Sequence, residues 1–579
     1  MAVTDAIITR VNGPVVEIRT DGGLAMLDLV EVGPRRLPGE VIALRGAVAT
    51  VQVYEYTGGL RPGDEVVSTG GPLAVDLGPG LLGGVFDGVL RPLRSAPAWI
   101  VPGSASRAPT AAGRTWDFTP STTGGQQLTD GASLGTIAES AAIEHHVLVP
   151  PGAGGRVDWI AAGELRPGQA VASVNGRELR IAQRWPVRRP RPARARLAGA
   201  EPLVTGQRVL DLMFPVARGS TAAIPGGFGT GKTVALQQVA KWCDASVIVY
   251  VGCGERGNEL ADVLEAFEAL EDPRTGQPLL DRTVLIANTS NMPVMAREAS
   301  IYTGVTVAEY YRDMGHDTVV IADSTSRWAE ALRELGSRTN ELPAEEGYPA
   351  GLASALAAFY ERAGRVQTLG DKIASVSIFG AVSPPGGDLT EPVTSHTRRF
   401  VRAVWSLDRD LAYARHYPAV SWRDSSARDV DQLAAWQAER GDPGWGERRT
   451  AALRLLTDAD RIESIAQLVG ADSLPGQERI TLRTARLLRE AVLQQSALLD
   501  NDQFTSPAKQ RALLALVLEI HERLTSLLEQ GVAVAELEAI DLSGALRARY
   551  DTPPDGVKEV EQIGQEIRQA LDTIDQPAP

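Results

Sequence analysis

The sequence predicts a multidomain α/β protein: an N-terminal β-barrel, a β-rich insert, a central P-loop α/β domain and a C-terminal helical bundle. Three observations carry that prediction. Pro225-Gly-Gly-Phe-Gly-Thr-Gly-Lys-Thr233 sets a G-x-x-x-x-G-K-T loop between the apolar Thr221-Ala-Ala-Ile224 and the helix-forming Val234-Ala-Leu-Gln-Gln-Val-Ala240. Apolar runs alternate with helical stretches from 200 to 425, the pattern of a parallel sheet covered on both faces. Short β-branched segments cut by turn residues fill 1–70, whereas apolar residues repeat at three and four after 425.

A chain of 579 residues is too long for one core; at about 150 residues per domain it holds about three or four. Its 44% hydrophobic and 22% charged residues are ordinary for a soluble globular protein. Fifty-eight basic against 72 acidic side chains leave a formal charge of −14, which opposes a nucleic-acid-coating role. Cys243 and Cys253 fall in predicted core elements and read as buried thiols of a reducing compartment, with no disulfide framework. The start, Met1-Ala-Val-Thr-Asp-Ala-Ile-Ile, lacks the basic and apolar regions of a signal peptide. No run approaches the roughly 18 to 20 apolar residues that span a bilayer, so any membrane role is expected to act through partners.

The elements follow in order. In 1–70, Ala6 to Ile18 breaks at Asn12-Gly13, a hairpin signal, and Val41 to Val53 breaks at Gly46; closure into a barrel removes their edges. Residues 71–110 are glycine-rich and read as connecting loops. Residues 111–185 form a separate β-rich module with strands at Ser133–Ile137, His146–Val149 and Ala170–Val174. Leu165-Arg-Pro-Gly168 echoes Leu60-Arg-Pro-Gly63 as reused turn chemistry. His145 and His146 have no third ligand at useful spacing and read as surface or strand residues. Trp185-Pro-Val-Arg-Arg-Pro-Arg-Pro-Ala-Arg-Ala-Arg196 reads as a solvated, extended linker over an acidic domain. In the P-loop domain, 186–425, strands are expected at Val247–Val251, Thr283–Ala287, Thr318–Ala322 and Ala374–Phe379. The helical domain, 426–579, includes Thr481–Leu493, Ala512–Leu524 and a last polar helix, Val557–Ile574, behind Pro553-Pro554.

The loop carries the chemistry. Gly226, Gly227, Gly229 and Gly231 let the backbone turn tightly and aim its N–H groups inward, so that Gly226 to Val234, with Phe228 and Thr230, form a nest for the phosphates of ATP or ADP. Lys232 reaches the β- and γ-phosphates and Thr233 offers its hydroxyl to Mg²⁺. Hydrolysis needs three further pieces: a metal-shell carboxylate, a group that positions water, and positive charge for the transition state. Asp323 ends the apolar Val319-Val-Ile-Ala322 and suits the metal shell, against the plainer role of capping the helix that begins at Ser324. Glu255 follows Val247–Val251, a strand expected to neighbour the loop strand and to end at the γ-phosphate, where a carboxylate orients water. Arg256 beside it offers a guanidinium to phosphate oxygens. Spacing alone leaves Glu255 and Glu259 as alternatives, and a solvated charged turn as a third.

Together with Val251 to Glu259, Val320 to Glu334, Leu342-Pro-Ala-Glu-Glu-Gly-Tyr-Pro349 and Ser383-Pro-Pro-Gly-Gly-Asp388, the loop resembles the catalytic A subunits of rotary A/V-type ATPases and ATP synthases over nearly the whole chain. The resemblance implies a RecA-like nucleotide-binding domain. It implies that Glu255, not Glu259, is the catalytic carboxylate, that Lys232 and Arg256 bind phosphate, and that Thr233 and Asp323 serve Mg²⁺. It implies that Tyr417 stacks on adenine and that Phe504 forms the other wall. The insert would be the bulge domain of this subunit type, and Leu468 to Gly476 would face a rotating shaft. Three such chains would alternate with three B-type subunits in an A3B3 ring, with the arginine finger supplied by B. Central and peripheral stalks and a membrane rotor would complete a machine that moves H⁺ or Na⁺. The chain itself would be peripheral, on the cytoplasmic side. Two departures touch the adenine side and the loop: Ser421-Trp-Arg-Asp-Ser-Ser-Ala427 replaces the common S-Y-S run, and Thr230 stands where eukaryotic members carry cysteine. Two alternatives compete: a Rho-like hexameric nucleic-acid translocase, which the acidic balance opposes, and a regulatory subunit without turnover, which intact Lys232, Glu255 and Asp323 oppose.

Overall fold

The computed structural model describes residues 5–94, 114–166, 168–198, 200–338, 341–470 and 473–574. They form two compact units. The first comprises Met1–Ala198, Ala245–Pro384 and Asp388–Phe400; the second comprises Gly199–Asp244, Pro385–Gly387 and Val401–Pro579.

In the first unit, antiparallel strands close into a barrel in the order Asp5–Asn12, Val15–Thr20, Val48–Val53, Leu37–Arg45, Asp28–Val32, Glu65–Pro72. Alternation drives closure: Val16, Ile18, Val30, Val41, Val51 and Val66 share one apolar core. The hairpin at Asn12-Gly13 forms as expected, with Asn12 opposite Val15 and Gly13 at φ 58°. The stretch expected to be loops contains two strands. Ala74–Leu77 pairs with Gln183–Pro186, and Val85–Phe86 adds in parallel to Thr283–Thr289. Both are too short to show a period, and their partners lie far along the chain, where local pattern does not reach. Residues 95–110 of that connector, residues 111–113 of the insert and Pro167 of the second Leu-Arg-Pro-Gly turn lie outside the described residues. The insert is two four-stranded sheets around Trp116, Phe118, Leu134, Val147, Val157 and Val171.

The rest of this unit is an α/β layer. Its parallel strands run Ile373–Val382, Thr318–Asp323, Val247–Glu255, Thr283–Thr289, Val85–Phe86. Thr318–Asp323 and Val247–Val251 are buried throughout, as continuous apolar runs are in a sheet covered on both faces. One expectation fails here. Thr318–Asp323 occupies one edge of Val247–Glu255 and Thr283–Thr289 the other, so the P-loop strand is not its neighbour. Crossover connections need not set consecutive strands side by side. The helix Val294–Asp313 is buried along nearly its whole length, and its polar side chains are bonded to several elements. Thr303 donates to the Gly88 carbonyl at 2.7 Å and Thr306 to that of Val187 at 2.9 Å. Arg188 joins Glu40 of the barrel (2.9 Å) to Glu298 of the helix (2.6 Å), and Arg191 pairs with Asp313 at 2.6 Å. The Trp185–Arg196 stretch is therefore not a solvated linker: two of its arginines are clamps, and Ala195–Arg196 pairs with Gly364–Gln367. The acidic partners of these clamps come from two distant elements, a barrel strand and the helix Val294–Asp313, which composition alone does not reveal. His145 is a strand residue but not a surface one. It is fully buried, with Nδ1 2.8 Å from Glu139 and Nε2 3.0 Å from the Tyr310 hydroxyl.

In the second unit, Thr221–Pro225 pairs in parallel with Ala403–Val404, and the helix Lys232–Trp242 follows the loop. The C-terminal part is helical, with Trp445–Val469, Gly476–Leu488, Pro507–Glu529 and Val557–Ile574 the longest elements. Pro507–Glu529 begins where local chemistry dictates: Ser506 accepts from the Lys509 amide and Pro507 fills the first turn. Leu513, Val517, Leu524 and Leu527 then face inward. The loop expected to face a shaft includes Ala471 and Asp472, outside the described residues; Leu468 before them is 86% exposed. Arg208 is wholly buried. Its Nε donates to the Val492 carbonyl at 2.6 Å, Nη1 to Thr505 Oγ1 at 2.6 Å and Nη2 to Asp502 Oδ1 at 2.7 Å.

Removing one partner of a buried ion pair strands the other. Asp502→Ala should lower stability by about 3–5 kcal/mol. Glu268→Ala, which breaks a pair with Arg94 in which both side chains are 50% exposed, should change it by less than about 1 kcal/mol. Urea unfolding of the full chain measures both; equal effects would contradict the assignment of Arg208 as an internal tie.

Candidate active site

The phosphate loop is built within the second unit. Gly229 and Gly231 take positive φ, 81° and 83°, which other residues adopt only under strain. Gly231 caps the helix Lys232–Trp242, so the first free amides of that helix open toward the loop. A Cβ on Gly226 would meet Thr230 Oγ1 at 2.8 Å and Leu407 at 2.9 Å. Thr230 is buried and donates to the Gly227 carbonyl at 2.9 Å. Lys232 folds back over the loop, its Nζ 3.3 Å from the Gly226 carbonyl. Thr233 and Val234 are exposed at the helix start, and Phe228 is 94% exposed at the loop tip.

Tyr417 belongs to the same surroundings. Its ring lies 3.3 Å from where a Gly231 Cβ would stand, and it is 42% exposed. Its carbonyl accepts from the Gln495 amide at 2.8 Å. Phe504 sits at the other end of the helix, stacked on Trp242 with ring centroids 5.1 Å apart, over the Gly206 backbone. Gln495 bridges the two aromatic segments, its Nε2 donating to the Gly206 and Gln503 carbonyls at 2.9 and 3.2 Å.

The acidic residues are brought together in the first unit. Gly252 is level with Asp323 in neighbouring strands, and Glu255 ends its strand just beyond. Asp323 is buried and accepts a hydrogen bond from the Tyr250 hydroxyl at 2.9 Å. Burial, then the Asp323 charge and a hydrogen bond to Glu259, push the Glu255 carboxyl up to about 7; Ser324 and Arg327 oppose the shift. Gly254 is required at its place: φ is 75°, and a Cβ there would lie 2.8 Å from that of Arg327. Arg256, just before the helix Gly257–Ala269, is exposed. Tyr250 and Gln495 were not singled out in the sequence, and Ser324 and Arg327 entered only as the start of the helix after Asp323, not as neighbours of Glu255. Tyr250 had a signal, as the one hydroxyl in Val247–Val251; Gln495 had none.

Family models match four stretches of the chain. These are the ATP synthase alpha/beta family beta-barrel domain over 8–70, the alpha/beta subunit barrel-sandwich domain over 109–188, the nucleotide-binding domain over 206–427 and the C-terminal domain of V and A type ATP synthase over 434–537. The V-type ATP synthase alpha chain of Nitrosococcus oceani is 49% identical over 97% of this chain and 97% of its own. The A subunit of the A-type ATP synthase of Methanopyrus kandleri is 49% identical over 98% of this chain and 97% of its own. Its counterpart in Haloferax volcanii is 48% identical over the same shares. This chain belongs to the A-subunit (alpha-chain) family of A-type and V-type ATP synthases. The assembled ATPase EscN of the enteropathogenic E. coli type III secretion system superposes with a TM-score of 0.63 at 20% identity, covering 88% of this chain and 99% of that one, a likeness of fold alone.

For this A-subunit family member, the nucleotide-binding match contains the loop, Glu255, Arg256, Asp323 and Tyr417, whereas Phe504 lies in the C-terminal match. ATP and ADP are thereby its ligands, and the nucleic-acid translocase alternative finds no support. Gly231→Ala combines a strained φ with a close approach to Tyr417, worth about 1–3 kcal/mol. It should weaken ADP binding to the full chain by at least about tenfold in titration calorimetry; unchanged affinity would show that the loop does not hold the nucleotide.

Proposed function

We propose that this chain is the catalytic subunit of a rotary complex, coupling ATP synthesis or hydrolysis to proton or sodium transport across a membrane. The observation that carries the reading is the acid pair, with Asp323 buried and Glu255 half-buried. A carboxyl poised near neutrality beside a second carboxylate is suited to hold and polarise a water. The amides of Gly226 to Val234 and Lys232 hold the phosphates, and Tyr417, beside Gly231, stacks on the adenine; Phe504, at the far end of the helix against Trp242, is too distant to be its other wall. A water oriented by Glu255 attacks the γ-phosphorus in line. The bond from that phosphorus to the β,γ-bridging oxygen breaks, its electron pair leaves with ADP, and the water's proton passes to Glu255. Arg256 meets the charge that develops on the phosphoryl oxygens. Synthesis runs the same steps in reverse.

The residues present fit a magnesium ion. Mutual repulsion within the Glu255 and Asp323 pair is the electrostatic cost that a dication relieves. Thr233 and Asp323 would hold it, and when bound it neutralises phosphate charge. We assign the partners as B-type subunits in an alternating A3B3 ring, with central and peripheral stalks and a membrane rotor. Among the described residues no helix is long and apolar enough to cross a membrane, which supports leaving ion movement to those partners, with this chain at the cytoplasmic face. The division proposed for the chain is 1–70 barrel, 71–110 connector, 111–185 bulge, 186–425 nucleotide-binding domain and 426–579 helical domain.

Glu255→Gln keeps the shape of the side chain and removes its basicity. In a complex assembled with B-type subunits it should retain ADP binding and lose ATP turnover by about a hundredfold or more. Turnover within a few-fold of the unaltered complex would remove Glu255 from this role.

A further inference from the structure

Within the second unit, the helix Ser543–Asp551 lies beyond 434–537, the stretch that matches the C-terminal family domain. Its last turn reaches the segment that carries the aromatic side of the nucleotide site. Arg549 Nη1 donates to the Gln494 carbonyl at 3.0 Å and to Asp502 Oδ2 at 2.7 Å. Asn501 Nδ2 donates to the Tyr550 carbonyl at 3.2 Å, so the helix end grips the turn 494–502 near both of its ends. Lys509 Nζ donates to the Arg549 and Thr552 carbonyls, each at 2.9 Å, which ties the grip to the long helix Pro507–Glu529.

The turn passes this hold on to Tyr417. The Gln495 amide donates to the Tyr417 carbonyl at 2.8 Å, and Gln494 Nε2 donates to the Arg415 carbonyl at 3.3 Å. Consecutive glutamines therefore hold the backbone at Tyr417 and two residues before it. The Tyr417 ring is 42% exposed beside Gly231, so its placement depends on the backbone that carries it.

Charge balance does not account for Arg549. Asp502 is fully buried and already takes Arg208 on Oδ1 at 2.7 Å, while its Oδ2 accepts from the Ser496 amide at 2.7 Å. A second guanidinium, 12% exposed, sets two desolvated cations on one carboxylate, an arrangement that costs stability unless it secures something else. What Arg549 adds is a second hold on the Gln494 carbonyl. Arg208 Nη2 holds that carbonyl at 2.5 Å from the segment ahead of the phosphate loop, and Arg549 holds it from the C-terminal helix.

We propose that Arg549 is a positioning residue for the base of the nucleotide. Through Gln494 and Gln495 it fixes where Tyr417 presents its ring, so the helix Ser543–Asp551 sets affinity for the adenine moiety and leaves the phosphates to the loop. Side chains that support a binding group by hydrogen bonds hold it in productive geometry without touching the ligand. The inference rests on the reading of Tyr417 as the residue that stacks on adenine.

The test is titration calorimetry of the full chain with ADP and with pyrophosphate, which lacks a base. Arg549→Met keeps the aliphatic stem and leaves Asp502 paired with Arg208. It should weaken ADP binding about fivefold or more and pyrophosphate binding by less than about twofold, because base stacking is the part disturbed. An arginine with a purely structural role would weaken both ligands together. Tyr417→Ala should weaken ADP at least as much, and adding Arg549→Met to it should cost less than about a further twofold. Gln494→Met removes the side-chain bond to the Arg415 carbonyl; it should show the same split between ADP and pyrophosphate, and it decides the matter should Arg549→Met fold poorly. Unchanged ADP affinity in Tyr417→Ala would remove Tyr417 from the base, and this proposal with it. A loss in Tyr417→Ala with none in Arg549→Met, equal losses for the two ligands, or fully additive losses would overturn the proposal alone and leave Tyr417 in its role.

Discussion

Two carboxylates at the ends of neighbouring buried strands are the constraint on which the rest of the first unit depends. Burial first, and then repulsion from Asp323, raises the Glu255 carboxyl to about 7. A fold does not keep such a pair for stability, since burying like charges works against the folded state. The surroundings hold the pair in place. Tyr250, from the strand that ends in Glu255, donates its hydroxyl to Asp323. Gly254 turns the strand end past Arg327. Ser324 and Arg327, from the segment that follows Asp323, partly offset the repulsion.

That arrangement needs a floor that does not yield, and Val294–Asp313 supplies it. The helix runs beneath the sheet, and its Arg297 carbonyl accepts from the Cys253 thiol at 3.3 Å, two residues before Glu255. The Trp328 indole of the next helix donates to the Glu298 carbonyl at 3.0 Å. Barrel and insert reach the same helix through Glu40, Arg188 and Glu298 and through Glu139, His145 and Tyr310. Residues locked by packing and by supporting hydrogen bonds are what a catalytic constellation requires. The second unit repeats the logic for the nucleotide: Gln495 ties the Tyr417 segment to Gly206, and Arg208 ties Gly206's neighbours to the C-terminal helices.

What was legible in the sequence was local. The phosphate loop is contiguous, so its glycines, lysine and threonine announce both conformation and chemistry. The barrel strands alternate, and Asn12-Gly13 marks their first turn. The long apolar runs of the sheet and the three-and-four repeats of the last domain each carry their own period. What was hidden depends on distant partners. Arg188 and Arg191 looked solvated because Glu40, Glu298 and Asp313 are remote in the chain. Val85–Phe86 looked like loop because two residues show no period. Tyr250 disappeared into an apolar run, although its hydroxyl is what reaches Asp323. Strand order was misjudged because chain adjacency is a poor guide in a parallel sheet: Val247–Glu255 lies between Thr318–Asp323 and Thr283–Thr289.

If the acid pair is kept for chemistry at the expense of stability, neutralising one member should stabilise the empty chain. The most direct measurement is the melting temperature of the nucleotide-free chain against pH, with and without Glu255→Gln. A carboxyl raised to about 7 in the folded state binds its proton more tightly there than when unfolded. The unaltered chain therefore loses stability as pH rises from the unfolded value toward 7, and the penalty persists above it. The account predicts that the variant's advantage grows between about pH 5 and pH 8, reaching on the order of 1 kcal/mol or roughly 1 °C. A variant that melts no higher than the unaltered chain at pH 8 would show that Glu255 is a structural carboxylate and would contradict the account.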